Sequence, residues 1–247
     1  MRAIAAVATF LLGGAVLSAL AAPVDVHPSG ATVPENLLRI ELRFAVPQDQ
    51  PFDVDRLRLV DADGVAIDAA FLDLALRNAD GRRITVSMNP GRVKTGVAPN
   101  VARGRALHAG STVRLVLDGD PVAAKTWIVT APRSVGPRPA DWTVASPRAG
   151  TRDALAVRLH DPISASAEAF IAVRDAAGRR VAGHTRLGDG DTTWWFRPDA
   201  RWRAGAFAVV THPELEDPAG NRVCSAFEQP SLRAVQCESV SVGFEVR

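Results

Sequence analysis

The sequence predicts an all-β protein made of two tandem β-sandwiches, and three features of the 247-residue chain carry that expectation. Apolar residues alternate with polar ones at period two through most of the chain, the pattern of strands with one face in a core and the other in water. Glycine-containing turn signals separate these runs. The same series of runs and turns then recurs, which points to internal duplication.

The chain opens on a different pattern. Met1-Arg2 supplies a positive charge, Ala3 to Leu20 is almost wholly apolar or small, and Ala19-Leu20-Ala21 fits a small-x-small cleavage site. That layout predicts a secretory signal peptide over 1–21, with Ala22 as the first mature residue. The run is short and weakly apolar for a membrane span, and no later stretch is long enough to cross a bilayer. The expected location is periplasmic or extracellular.

In the first copy, 22–130, Leu38, Ile40, Leu42 and Phe44 alternate with Arg39, Glu41 and Arg43. Leu57 and Leu59 alternate with Arg56 and Arg58, and Ile84, Val86 and Met88 with Thr85, Ser87 and Asn89. Val113, Leu115 and Leu117 make a further strand. Asp63-Gly64, Asp80-Gly81, Ala109-Gly110 and Asp118-Gly119 lie between runs, where tight turns require positive φ. A turn of helix is allowed around Asn36 and over Ala70 to Leu76.

The second copy, 141–247, repeats the series. Leu155, Val157 and Leu159 match the run from Leu38 to Phe44, and Ile171 to Gly178 matches Leu57 to Gly64. Thr192 to Pro198 matches Ile84 to Pro90, and Trp202 to Phe207 matches Leu107 to Thr112. Several short strands per copy, closely punctuated by turns, fit a sandwich. Between the copies, 131–140 carries Pro132, Gly136, Pro137 and Pro139, which predicts a semi-rigid linker.

The copies differ in two places. The first has a long loop from Lys94 to Ala109 that includes Arg103 and Arg105; the second has an insertion from Cys224 to Cys237 before a last strand of Val240, Val242, Phe244 and Val246. In an oxidising compartment the two cysteines are expected to form a disulfide that pins the insertion. Loops added to a repeat are where specific function often resides.

His27-Pro28-Ser29-Gly30-Ala31-Thr32-Val33-Pro34-Glu35-Asn36, followed by a strand ending Phe44-Ala45-Val46-Pro47, resembles the opening of bacterial Ig-like domains of the S-layer type. Those begin with a Pro and Gly turn and a vP-x-N segment, then a strand ending FS-x-P; Ala45 stands here at the Ser position. Asp217-Pro218-Ala219-Gly220-Asn221 resembles the family's D-x-x-G-N turn before its closing strand. The resemblance implies two immunoglobulin-like sandwiches, and a module for spacing, adhesion or binding on an exported protein, usually without catalysis.

Composition narrows the chemistry. With 29 Lys and Arg against 27 Asp and Glu the net charge is +2, which is no electrostatic footprint for nucleic acid. His27, His108, His160, His184 and His212 are scattered singly, without H-x-H or H-E-x-x-H pairing, and read as surface or turn histidines. Copper needs clustered His or Met, and Met88 is the one methionine after the signal segment, on an inward strand face. Asp61 with Asp63, Asp189 with Asp191, and Glu214 with Glu216 and Asp217 offer turn oxygens, but no cluster alone supplies the six that calcium takes. They read as turn-forming residues and solvated charge. A periplasmic calcium- or copper-binding sandwich is the alternative to a binding module. No resident cofactor is expected. No G-x-S-x-G occurs, and no spacing places Ser, His and Asp together, so no enzymatic activity is expected.

Trp142, Trp194, Trp195 and Trp202 all fall in the second copy. On one strand Trp194 and Phe196 share a face and Trp195 points to the other, so one Trp is expected outside the core. Trp195 beside Arg197, Arg201 and Arg203 suits stacking on a sugar or receiving a peptide. The alternative is that arginine stems or the first copy cover it. The expected function is a non-catalytic exported module that binds or positions a protein or polysaccharide in the cell envelope. Its working residues would be Trp195 and Arg197, the loop residues Arg103 and Arg105, and the insertion closed by Cys224 and Cys237.

Overall fold

Each alternating run becomes a strand. A computed structural model describes residues 24–94, 101, 103–118, 120–225, 227 and 238–247. The expected signal segment and Cys237 lie outside the described residues.

In the first half, β1 (Val24–His27), β3 (Arg39–Phe44), β6 (Arg83–Met88) and β5 (Phe71–Arg77) form one antiparallel sheet in the order β1-β3-β6-β5. The facing sheet runs β2 (Thr32–Pro34), β8 (Asp120–Thr130), β7 (Thr112–Leu117), β4 (Leu57–Val60), with β2 parallel to β8. The second half repeats the plan. β12 (Gly183–Gly188), β13 (Thr193–Pro198), β10 (Leu155–Arg158) and β9 (Thr143–Ala145) form one sheet, and β11 (Ile171–Asp175), β14 (Gly205–Thr211) and β15 (Val240–Val246) the other. Leaving aside the short β2, strands one, two, five and four of each half share a sheet and strands three, six and seven the other, which is the immunoglobulin arrangement.

The inward residues are those the alternation selects. Ile40, Leu42, Val86 and Met88 meet Leu59, Leu115 and Trp127 in one core, and Leu155, Val157, Trp194 and Phe196 meet Val173, Val209 and Val246 in another. Buried hydrophobics therefore gather into two clusters, one drawn from Val26 to Val129 and one from Trp142 to Val246. The second core is aromatic: Trp194 stacks on Phe196 at 5.8 Å, and Trp202 meets Phe207 edge-on at 5.3 Å.

The matched sequence blocks occupy matching strands. Leu57–Gly64 and Ile171–Gly178 each form the third long strand and the turn after it. Asp61 Oδ1 accepts the Asp63 and Val65 N–H groups at 3.0 and 2.9 Å, and Asp175 Oδ1 accepts those of Ala177 and Arg179 at 3.0 and 2.9 Å. Gly64 and Gly178 take the left-handed φ, 82° and 76°, that the turn demands.

One turn of helix that the sequence allowed does not form, and another forms nearby. Residues 71–77 are the edge strand β5 rather than a helical turn, because Phe71 and Ala75 pair with Met88 and Val86 and pack on the first core. A one-turn helix α1 forms instead at Pro90–Val93, where Asn89 Oδ1 accepts the Gly91 N–H and Pro90 stands at the first helical position.

Candidate functional site

Strand β13 sets the geometry around Trp195. Trp194 and Phe196 point into the core, so Trp195 and Arg197 point outward from the same strand. Cross-strand pairing places Arg186 opposite Trp195 on one side and Ala156 on the other, with Ala145 beyond Ala156. Trp195 is half-buried, and the Arg186 guanidinium carbon lies 5.1 Å from its ring centroid, a cation–π contact. The arginine cover expected as one alternative is therefore present on one flank, and the small side chains of Ala145 and Ala156 leave the other flank low.

The same outward face carries Thr143, Arg158, Thr193, Arg197, His184 and Gly188. Arg158, Arg186 and Arg197 are exposed, and no Asp or Glu occupies an outward position on these four strands. No hydrogen bond or ion pair among the described residues engages the side chains of Arg158 or Arg197. His184 faces Asp199 at 3.5 Å at the margin.

Arg103 and Arg105 belong to the other half, ahead of β7. Arg103 pairs with Asp68 at 3.4 Å and Arg105 with Glu35 at 3.6 Å. Buried Arg92 donates to the Gly104, Arg105 and Asp68 carbonyls, so the end of this loop is fastened to the first sandwich. Cys224 has no free thiol. Its expected partner is outside the described residues.

The most elaborate polar structure lies elsewhere, between the halves. Asp191 accepts hydrogen bonds from His27 Nδ1 at 2.8 Å, Ser29 Oγ at 2.7 Å and the Ser29 N–H at 2.8 Å. Burial works to raise the Asp191 carboxyl, but His27 and Ser29 outweigh it and hold it below its ordinary value. The ionised carboxylate only accepts, so His27 carries its proton on Nδ1. Asp189, Gly190 and Asp191 run at φ 53°, 72° and 65°, and this left-handed run brings Gly190 against Gly30. A Cβ on Gly190 would stand 3.1 Å from the Gly30 Cα. Trp127 Nε1 and Lys125 Nζ donate to the Pro28 and Ser29 carbonyls, fixing the opposite side of the segment.

A second part of the joint is built around Arg133. Asn36 exchanges two hydrogen bonds with its backbone, at 2.8 and 2.9 Å, and Asn221 Nδ2 donates to the same carbonyl at 3.2 Å. The guanidinium reaches Asp217 and Asp161, each at 3.1 Å. Burial would lower the Arg133 pKa, but the two carboxylates raise it. Arg39 pairs with Glu216 at 2.7 Å, Arg43 with Glu168 at 3.3 Å, and Glu41 Oε1 accepts the Ser166 N–H at 2.8 Å.

These contacts correct several sequence expectations. His27 is buried and paired rather than a surface histidine, and Asp191 and Asp217 are buried rather than solvated. Ser29, His27 and Asp191 do come together, but Ser29 Oγ donates to the aspartate and not to the imidazole, so the Ser–His–Asp relay order is not formed. Several of the oxygens considered for calcium are engaged within the protein: Asp61 in its turn, Asp191 with His27 and Ser29, Glu214 with Arg222, Glu216 with Arg39 and Asp217 with Arg133. Among the described residues no group of three or more His, Cys, Asp or Glu is arranged to hold a metal. The Asn36 and Asp217–Asn221 motifs were visible in the sequence. Nothing there signalled that both would close on Arg133, or that His27 would meet Asp191.

No family model and no curated protein matches the chain. Among solved structures, the titin domains Z1Z2 in complex with telethonin are similar at 12% identity over 91% of this chain and 92% of that one, with a TM-score of 0.24. The tandem Ig repeats of Dlar are similar at 11% identity over 79% and 94%, with a TM-score of 0.24. Domains 4–9 of the surface layer protein SbsC are similar at 10% identity over 90% and 30%, again with a TM-score of 0.24. Scores this low carry nothing about function, and the fold rests on the strand order given above. No helix among the described residues is long and apolar enough to cross a membrane.

Proposed function

We propose that this chain is an exported, non-catalytic tandem of Ig-like sandwiches that binds or positions a protein or polysaccharide of the cell envelope. Its recognition surface is the outward face of the β12-β13-β10-β9 sheet. The observation that carries the reading is Trp195, half-buried on a face with three exposed arginines and no acidic side chain. Amphipathic, rigid Trp and fork-shaped Arg are the side chains most enriched at binding hot spots. We assign 1–21 to a signal peptide, 22–130 and 141–247 to the two sandwiches, 131–140 to the linker, and Cys224–Cys237 to a disulfide closing the insertion. The polar joint around Asp191 and Arg133 supports a positioning role, since it ties the recognition sheet to the first half. Arg103 and Arg105, each already paired with an acid, serve the loop's own structure in this reading.

The test is capture from envelope extract on the immobilised mature protein, beside the Trp195→Ala and Arg197→Ala variants with their thermal unfolding checked. Loss of a captured protein or polysaccharide in folded variants is the expected result. An identical set of captured molecules in both variants removes this face from the function.

A further inference from the structure

Resting on the reading that this face is the recognition surface, we infer that it takes an anionic polysaccharide whose sugars carry carboxylates. Three properties of the face lead there. First, its charge is one-sided: Arg158, Arg186 and Arg197 project from β10, β12 and β13 with no carboxylate among the outward residues of the sheet. The whole chain is almost neutral at +2, so this polarity is local. Planar guanidinium groups bind carboxylates bidentately.

Second, an aromatic ring sits beside small side chains where a sugar ring would lie. Ala145 and Ala156 continue the row of Trp195 across β10 and β9, so small side chains follow it on that side. An aromatic ring offers its face to the C–H surface of a pyranose, and Arg186 already stacks on this one at 5.1 Å.

Third, the arginines are spread along the strand direction. Arg158 lies opposite Thr193, four positions before Arg197, so at about 3.3 Å per residue the two stand on the order of 13 Å apart with Trp195 between. That separation suits a chain ligand with repeated charges better than a single small anion. An extended peptide would instead seek an unpaired strand edge and pockets for alternate side chains. The cavities of about 220 and 340 Å³ are lined by Val54–Asp73 and Ile171–Asp199 residues, and neither includes Trp195.

The experiment uses polygalacturonate as probe, dextran as the uncharged glycan, polyglutamate as the acidic peptide and a single-stranded oligonucleotide as the other stacking polyanion. Binding is read by tryptophan fluorescence and by calorimetry. The inference expects polygalacturonate to bind, dextran not to, and affinity to fall at least tenfold between low and roughly 0.5 M salt. Trp195→Ala should weaken it about tenfold. Arg158→Glu, an exposed change that leaves the core untouched, should weaken it further. No binding of polygalacturonate at low salt overturns the inference, as does equal binding by Trp195→Ala. Tighter binding of polyglutamate or the oligonucleotide, if lost in Trp195→Ala, overturns the glycan assignment while leaving the recognition face intact. Capture of an envelope protein that depends on Trp195, without polygalacturonate binding, has the same meaning.

Discussion

His27 Nδ1 and Asp191 Oδ1 meet at 2.8 Å across 164 residues of sequence, both side chains buried. Removing one partner of such a pair strands the other in a low-dielectric setting, which typically costs about 3–5 kcal/mol. Asp191→Ala should therefore lower unfolding stability by roughly 3 kcal/mol in urea titration, since three hydrogen bonds vanish together. The pH dependence has a definite sign. The folded carboxyl sits below its ordinary value, so the stability it adds is complete above the unfolded pKa near 3.9 and is lost as pH falls through the folded one. In Asp191→Ala that low-pH slope should be shallower than in the parent protein. Equal slopes would show that the contact adds nothing.

Glu216 runs the other way. Burial pushes its carboxyl up, Arg39 and Arg222 oppose this, Asp217 and Glu41 add to it, and the result lies above the ordinary 4.5. A raised carboxyl pKa means that ionised Glu216 costs stability at neutral pH, and that the cost is relieved as pH falls toward the unfolded value. Glu216→Gln keeps an acceptor for Arg39 and should be as stable as the parent protein, or more so, at pH 7. It should also flatten the stability curve just above pH 4.5. A variant clearly less stable at pH 7, by the same amount at pH 4, would contradict this.

The turn aspartates offer an internal comparison. Asp61, Asp175 and Asp217 each accept two backbone N–H groups from the residues two and four positions on. Asp217 is fully buried and also holds Arg133 and Asn221 Nδ2, whereas the bonds at Asp61 and Asp175 face water. Water can replace an exposed cap but cannot reach a buried one. Asp217→Ala should cost at least about 3 kcal/mol, and Asp61→Ala and Asp175→Ala clearly less. Equal losses in all three by chemical denaturation would mean the joint is not built around Asp217.

Period two was enough to find the strands and to set Trp194 and Trp195 on opposite sides of one of them, because alternation records which side of a strand each residue serves. The turn motifs were legible for the same local reason: Asp with Gly three positions later names its own hydrogen bonds. What stayed hidden was long-range. His27 sits at the end of β1 and Asp191 in a loop of the other half, and no local pattern couples a strand-end histidine to a distant turn. Arg133 looked like linker, since its partners Asn36, Asp161, Asp217 and Asn221 are scattered through both halves. Asp191 in Asp-Gly-Asp read as solvated because such turns are usually at the surface; here it is 1% exposed.

The edge strand β5 gives the last prediction. Leu72, Leu74 and Leu76 are exposed at 39%, 52% and 58% on the outermost strand of its sheet. An apolar stripe on an unpaired strand edge invites pairing with another chain, and natural edges limit this with charges and bulges. β5 has the second device, a register break between Phe71 and Ala75, but only Asp73 and Arg77 as charges. Leu74→Lys adds a charge at the middle of the stripe without touching either core. It should slow concentration-dependent aggregation, followed by light scattering on heating, while changing unfolding free energy by no more than about 0.5 kcal/mol. Unchanged aggregation would place the liability elsewhere. A large loss of stability would show that Leu74 packs against the sandwich rather than facing water.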